Sequence, residues 1–352
     1  MKILFLQKNR GYSGAEKIIL TLMVMLKKYK LVDEVAYASP VGSIENHLRE
    51  KGLKYIPLKN LNPFEIRKVI NGFSPEIIHA SDYTMSILAA LTAGKIPVIA
   101  HLHSNPEWLK QKNNLKNIAF TMALKRLDKV VVVSNAIEHE YCHYKSFFKK
   151  FIVIPNIVDI SEVQQMGMIS KSKDKYDLVF LGRFYAEKGP ISFLKIVKDV
   201  KTKYNSEITG IMVGDGELKK EVMNFIVSND LVSNVLVVGY KSNPYKYVNM
   251  AKIGIIPSKM EGFGLAAVEM LTLGKPVLCS GVGGLKEIIN DDCGKICENL
   301  REYSEKINKL IDNKGYYKLK SKNAKKMALN YSNKCEFVKS FVKVYKEVST
   351  KK

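Results

Sequence analysis

Long apolar runs are missing from this sequence. No stretch approaches the ~18 residues that a membrane-spanning helix needs, so any membrane contact is expected to be peripheral. The opening MKILFLQKNRGYSG has too short an apolar run for a signal peptide and reads as a first β-strand. Cysteine is scarce: Cys142, Cys279, Cys293, Cys297 and Cys335 are scattered, odd in number and without a C-x-x-C pair. That argues against a disulfide framework and a zinc site. Cys293 and Cys297 are expected to be ordinary buried thiols in a reducing cytoplasm. Internal repeats, low-complexity tracts and recognisable nucleic-acid modules are also lacking. Acidic residues fall short of basic ones, 34 against 56, which leaves a net charge of +22. Such an excess implies an anionic partner: a phosphorylated substrate, an anionic membrane or a nucleic acid. Nucleic acid is disfavoured, because the aromatics form no stacking platform.

What is present is an alternation of short apolar runs with amphipathic stretches, the pattern of a parallel sheet flanked by helices. Strands are predicted at 2–6, 35–39, 76–80, 97–102, 129–134 and 151–155, with helices between them, for instance 14–29 and 82–93. A polar stretch from Val163 to Lys175 reads as an interdomain link. The alternation then restarts at 177–182, 207–214, 234–239, 253–258 and 276–280. The last ~20 residues space their apolar side chains by three and four, as an amphipathic helix does. At 352 residues the chain fits two domains. The division is 1–165 for the first, 166–176 for the link, 177–330 for the second, and 331–352 for a helix crossing back to the first. The fold class is α/β, two Rossmann-like domains whose parallel sheets face each other across a cleft at their carboxyl ends.

Four segments carry candidate chemistry. In PSKMEGFGLAAVEMLTLGKP (257–276) a Gly-rich turn opens a helix. Its glycines admit close backbone approach, and its helix-start N–H groups suit a phosphate. Glu261 on the turn and Glu269 within the helix are placed to bind hydroxyl groups at two ends of one ligand. In LGRFYAEKG (181–189), Arg183 and Lys188 follow a strand end and suit a diphosphate, Arg as a fork and Lys as a point charge. The first loop, QKNRGYSGAEK (7–17), resembles a phosphate loop but lacks both the Walker and the G-x-G-x-x-G spacing. His103, in PVIAHLHSN, lies just past a strand end, with His101 on the same face. It reads as a hydrogen-bonding group near a reacting sugar or as a packing residue. A metal is disfavoured because no carboxylate has a fitting spacing.

In order and spacing, SGAEK, EIIHA, VIAHLHS, VVVSNAI, VIPNIVD, LGRFYAEKG, MVGDGELK, VVGY, EGFGLAAVE and GKPVLCSGVGGLKEII resemble the retaining glycosyltransferases of family 4, of GT-B fold, over essentially the whole chain. The resemblance implies that Arg183 and Lys188 bind the diphosphate of a nucleotide-sugar donor and that Glu269 binds the ribose. Glu261, with the backbone of Gly262, Phe263, Gly264 and Leu265, would hold the donor sugar and β-phosphate. The base would lie near Gly239 and Tyr240. Gly14 and His103 would border the acceptor side, with His103 near the anomeric centre. Asn156 and Asp159 would belong to the interdomain connection. Ser13 departs from the pattern, where a second glycine is usual.

Catalytic roles are thereby implied for His103, Arg183, Lys188 and Glu261, with no cofactor and no metal. The implied reaction moves a sugar, most simply from a UDP-sugar, to a saccharide or lipid-linked acceptor in cell-surface polysaccharide or glycolipid synthesis. A sugar-nucleotide epimerase would use the same cleft without an acceptor. Segments 106–129 and 145–151 mix lysines with apolar side chains and suit an anionic membrane surface on the cytoplasmic side.

Overall fold

The computed structural model describes residues 1–168 and 175–350. The chain divides into two compact units, Met1–Asn156 with Lys334–Lys352, and Ile157–Asn333. The first unit is built on β1 (Lys2–Leu6), β2 (Glu34–Pro40), β3 (Lys54–Leu58), β4 (Ile77–Ser81), β5 (Val98–Leu102), β6 (Lys129–Val132) and β7 (Phe151–Val153), ordered β3-β2-β1-β4-β5-β6-β7. The second is built on β8 (Tyr176–Leu181), β9 (Gly210–Val213), β10 (Val235–Gly239), β11 (Ala251–Ile256), β12 (Val277–Cys279) and β13 (Gly294–Ile296), ordered β10-β9-β8-β11-β12-β13. All pairings are parallel. Helices cover both faces, so central strands are mostly apolar, and every residue of β4 and β5 is buried, His79, Ser81 and His101 included.

In each sheet the order reverses once, between β1 and β4 and between β8 and β11. At such a reversal the loops leaving neighbouring strands diverge to opposite faces, and a crevice opens beyond the carboxyl ends. Two strands lie outside the expected set, β3 and β13, and both are sheet edges. β3 contains Pro57, tolerable only at an edge, and β13 is three residues long. The stretch expected as the interdomain link is helical as far as Met168, within helix Ile160–Met168, and residues 169–174 lie outside the described residues. The two units divide ahead of it, between Asn156 and Ile157.

The C-terminal helix, Lys334–Ser349, belongs to the first unit and buries Phe337, Val338, Phe341, Val344, Tyr345 and Val348 along one face. Among the described residues no helix is long and apolar enough to cross a membrane. Cys279, Cys293 and Cys297 are buried free thiols.

The Tyr345 hydroxyl meets Nδ1 of His79 in β4 at 2.8 Å, and His79 Nε2 meets Nδ1 of His101 in β5 at 3.1 Å. Both imidazoles are fully buried, packed on Phe341, and His79 also on Phe5. Burial, and then the nearby His103, hold the His79 pKa down at about 3 and that of His101 well below its ordinary value. The unfolded chain takes up protons at these rings below about pH 6.5 and the folded chain does not. Stability is therefore complete above pH 6.5 and falls as pH drops from there. Each histidine contributes a slope of up to about 1.4 kcal/mol per pH unit. Thermal unfolding between pH 7.5 and 5 should show a falling midpoint before the carboxylates titrate. Replacing either histidine with glutamine should flatten that slope, and an unchanged slope would refute the assignment.

Candidate functional site

The carboxyl edge of the second sheet gathers most of the expected site. After β8 the chain turns through Gly182 and Arg183, anchors itself with the buried Phe184, and makes a short turn at Ala186–Lys188 before helix Pro190–Lys203. Pro190 at the first helical position needs no N–H partner and stops the turn there. The loop after β11 lies against this turn: the amides of Lys259 and Met260 donate to the Glu187 carbonyl at 2.8 and 3.3 Å. These loops belong to the two strands at which the order reverses.

Lys188 Nζ and Glu261 Oε2 pair across the two loops at 2.5 Å, with side chains only 24% and 13% exposed. Arg183 is on the same loop but more open, 60% exposed, resting over the Tyr185 ring and 3.5 Å from Glu187. Phe263 is buried and meets the Tyr331 ring edge-on. Gly264 opens helix Leu265–Thr272 at φ 109°, a conformation disfavoured for side-chain-bearing residues, and no side chain caps that helix start. Its first amides are thus presented without a side-chain acceptor. Glu269 lies one turn inside, buried, and accepts a 2.6 Å hydrogen bond from the Tyr245 hydroxyl.

Beneath the turn passes Gly281–Gly284. A Cβ at Gly283 would lie 1.6 Å from the Glu261 carbonyl oxygen, and the Gly284 amide donates to the Gly262 carbonyl at 3.1 Å. Backbone packed on backbone fixes the Gly-rich turn without side chains. On the other flank, Gly182 N donates to Val213 O, Gly214 N to Gly239 O, and Phe184 N to Asp215 O, all near 3.0 Å. The loops after β8, β9 and β10 form one ledge ending at Gly239 and the exposed Tyr240. Arg183, Lys188, Glu261, Gly262, Phe263, Gly264, Leu265, Glu269, Gly239 and Tyr240 therefore all belong to one unit, on loops beyond the sheet's carboxyl edge or on the short helix that follows. Tyr245, Glu187 and Gly283 escaped the reading of the sequence. The consecutive glycines of GVGG were the one local signal.

In the first unit, Gly14 is the exposed first residue of helix Gly14–Lys28. Ser13 has a local role: its amide donates to Glu16 Oε2 at 3.1 Å, and Asn9 Nδ2 donates to Glu16 Oε1 at 2.8 Å. This is the reciprocal helix start that S-x-x-E encodes, with Glu16 itself buried. His103 follows β5, its ring 4.0 Å from that of His101. Both His103 nitrogens and His101 Nε2 are buried without a partner among the described residues. Burial lowers the His103 pKa to about 4, so it is neutral at pH 7.

Chemically, the second unit's edge offers two cations and an uncapped helix start for an anion, with carboxylates on either side for hydroxyl groups. Residues 164–327 match the glycosyl transferases group 1, and residues 31–162 match glycosyltransferase family 4. An uncharacterized glycosyltransferase of Methanocaldococcus jannaschii is 30% identical over 91% of this chain and 89% of its own length. The Campylobacter jejuni N-acetylgalactosamine-N,N'-diacetylbacillosaminyl-diphospho-undecaprenol 4-alpha-N-acetylgalactosaminyltransferase is 24% identical over 80% of this chain and 81% of its own. Among solved structures, Anabaena Alr3699/HepE in complex with UDP matches with a TM-score of 0.82 at 18% identity, covering 99% of this chain and 100% of that one. The likeness of fold and the level of identity together place the chain among the glycosyltransferases, in family 4 and group 1, with the GT-B fold.

Proposed function

We propose that this glycosyltransferase takes a sugar from a UDP-sugar and passes it, with retention at the anomeric carbon, to a saccharide or lipid-linked acceptor in bacterial cell-surface polysaccharide or glycolipid synthesis. The observation that carries the donor half is the Lys188–Glu261 contact, which joins a cationic loop to a Gly-rich helix start where the strand order reverses. Arg183 and Lys188 take the diphosphate, Glu269 the ribose, and Glu261 with the turn Gly262–Leu265 the donor sugar. Gly239 and Tyr240 take the base. The UDP held by the structural neighbour and the diphospho-undecaprenol substrate of the Campylobacter relative support this reading. Gly14 and His103 are assigned to the acceptor side.

The demanding step breaks the bond between the anomeric carbon and the diphosphate oxygen, leaving negative charge on the nucleotide. Cations and oriented amides already in position stabilise that charge most as it develops. Arg183, Lys188 and the start of helix Leu265–Thr272 supply them. The departing phosphate oxygen then accepts the proton of the attacking hydroxyl, and the acceptor bonds on the face the nucleotide leaves. Glu261 enters this scheme as a competitor: it neutralises Lys188 until an anionic donor draws the ammonium away.

UDP should raise the thermal midpoint of the wild-type protein. Lys188→Ala and Arg183→Ala should each lower kcat roughly 100- to 1,000-fold, the usual loss when one charge-stabilising donor is removed. Activity unaffected by Lys188→Ala would refute the donor assignment. Because these cations serve the diphosphate, turnover should persist in EDTA. Glu269→Ala removes hydrogen bonds between ribose and a charged acceptor, typically about 1.5–3 kcal/mol, so the donor KM should rise about tenfold or more. The anomeric configuration of the product, read by proton NMR, tests retention.

Peripheral attachment to the cytoplasmic face of a membrane is part of the proposal. Leu115, Ile118 and Met122 recur along one face of helix Leu115–Leu124 and are exposed, as are Lys112, Lys116 and Lys125 around them. Phe148 and Lys149 are exposed as well. Trp108 and Leu109, by contrast, turn inward, Trp108 against Tyr83 and Leu109 fully buried. An apolar stripe edged by lysines suits anionic lipid. The wild type should float with vesicles containing phosphatidylglycerol at low salt, and a Leu115→Glu, Met122→Glu double variant should not. Wild-type protein left at the bottom of the gradient would remove this part.

A further inference from the structure

Three ring nitrogens stand close together in the first unit without partners among the described residues: His101 Nε2, His103 Nδ1 and His103 Nε2. Buried polar atoms are nearly always hydrogen-bonded, and each exception calls for an explanation. Here the exceptions end a chain that begins at Tyr345. The hydroxyl of Tyr345 is fully buried and contacts His79 Nδ1 at 2.8 Å. Either direction leaves one proton of the chain unpaired: on Tyr345 if its hydroxyl accepts, on His101 Nε2 if it donates. With the hydroxyl donating, that proton comes to lie beside His103, where a ligand oxygen can take it. His79, kept neutral by burial, then carries its proton on Nε2 and donates to His101 Nδ1, 3.1 Å away. His101 in turn carries its proton on Nε2, where it meets nothing among the described residues.

We propose that Tyr345 and His79 are positioning residues that hold His101 as an Nε2–H donor, so that His101 and His103 together bind one neutral hydroxyl group of a saccharide. The inference rests on the glycosyltransferase reading and adds Tyr345, His79 and His101 to it. The two rings are 4.0 Å apart and both neutral. His101 offers one donor, and neutral His103 offers one donor and one acceptor. The His101 donor and an acceptor nitrogen of His103 match one hydroxyl group, which accepts and donates. They match a phosphate less well, since the acceptor nitrogen would face a phosphate oxygen. Position follows from the strands: His79 and His101 are on adjacent parallel strands, and His103 is two residues beyond His101 on the same face.

The test uses full-length protein labelled with 15N-histidine. Long-range proton–nitrogen correlation at pH 7.5 should show both His79 and His101 protonated at Nε2. In Tyr345→Phe, which keeps the ring and removes the donor, the His101 Nε2 signal should move toward the unprotonated position. The same variant should lose kcat roughly three- to tenfold, as for one hydrogen bond, at unchanged donor KM, while the unpaired His79 nitrogen lowers the thermal midpoint by a few degrees at most. His101 protonated at Nδ1 in the wild type overturns the proposal, and so does a Tyr345→Phe enzyme of undiminished kcat. A wild type that transfers from no nucleotide sugar overturns the reading of the reaction instead, and the nitrogen shifts still report the chain by themselves.

Discussion

The ion pair of Lys188 with Glu261 is the contact that ties together the two loops at which the second sheet reverses its strand order. Two opposite charges, mostly withdrawn from water, come from loops 73 residues apart in sequence. Holding charges so far from solvent is unfavourable unless geometry compensates. The compensation comes from the backbone: the Lys259 and Met260 amides on the Glu187 carbonyl lock the two loops before any side chain chooses a rotamer. The pair is thus imposed by the sheet, because β8 and β11 are neighbours at the one place where the strand order reverses. Each member of the pair thereby neutralises a charge that would otherwise be left largely buried and unpaired.

Around that pair, main chain does most of the shaping. Gly283 leaves no room for even a methyl group against the Glu261 carbonyl, and Gly284 hydrogen-bonds to Gly262. Such contact gives a turn with no side chain to move and no side chain to mutate except the glycines. Glu269 is handled differently. It is buried and would be expensive as an unpaired carboxylate, and the Tyr245 hydroxyl meets it at 2.6 Å.

The sequence reading reached the central strands because they are buried on both faces and therefore mostly apolar, IIHAS and VIAHL having only His79, Ser81 and His101 as polar residues. It passed over β3 and β13 because edge strands need not be apolar: β3 has a proline and exposed residues, and β13 is Gly-Lys-Ile. The cations and carboxylates of the donor loops were legible because they stand beside glycines at strand ends, a local signal. Tyr245 and Gly283 were not, since their roles exist only where distant segments meet. Ser13 shows a third case. Its signal was local, S-x-x-E, yet comparison with a glycine pattern made it look like a departure when it serves as the reciprocal cap with Glu16. The polar stretch from Val163 onward reads as a connection for a related reason: VQQMGM has few bulky apolar residues, but Val163 and Gly167 are buried and the stretch is helical to Met168.

The two units use the same architecture and equip its carboxyl edge in opposite ways. The second collects Arg183, Lys188 and an uncapped helix start, all suited to negative charge. The first places there a buried carboxylate tied into a helix start and a pair of histidines that burial keeps uncharged at neutral pH. That contrast has a physical logic in sugar transfer. The donor loses a nucleotide that leaves as an anion, so its cradle must be positive. An acceptor hydroxyl is neutral and calls for hydrogen bonds rather than charge, which is what the proposal asks of His101 and His103. Burial keeps these imidazoles neutral, and the same burial makes His79 and His101 a liability to stability below pH 6.5.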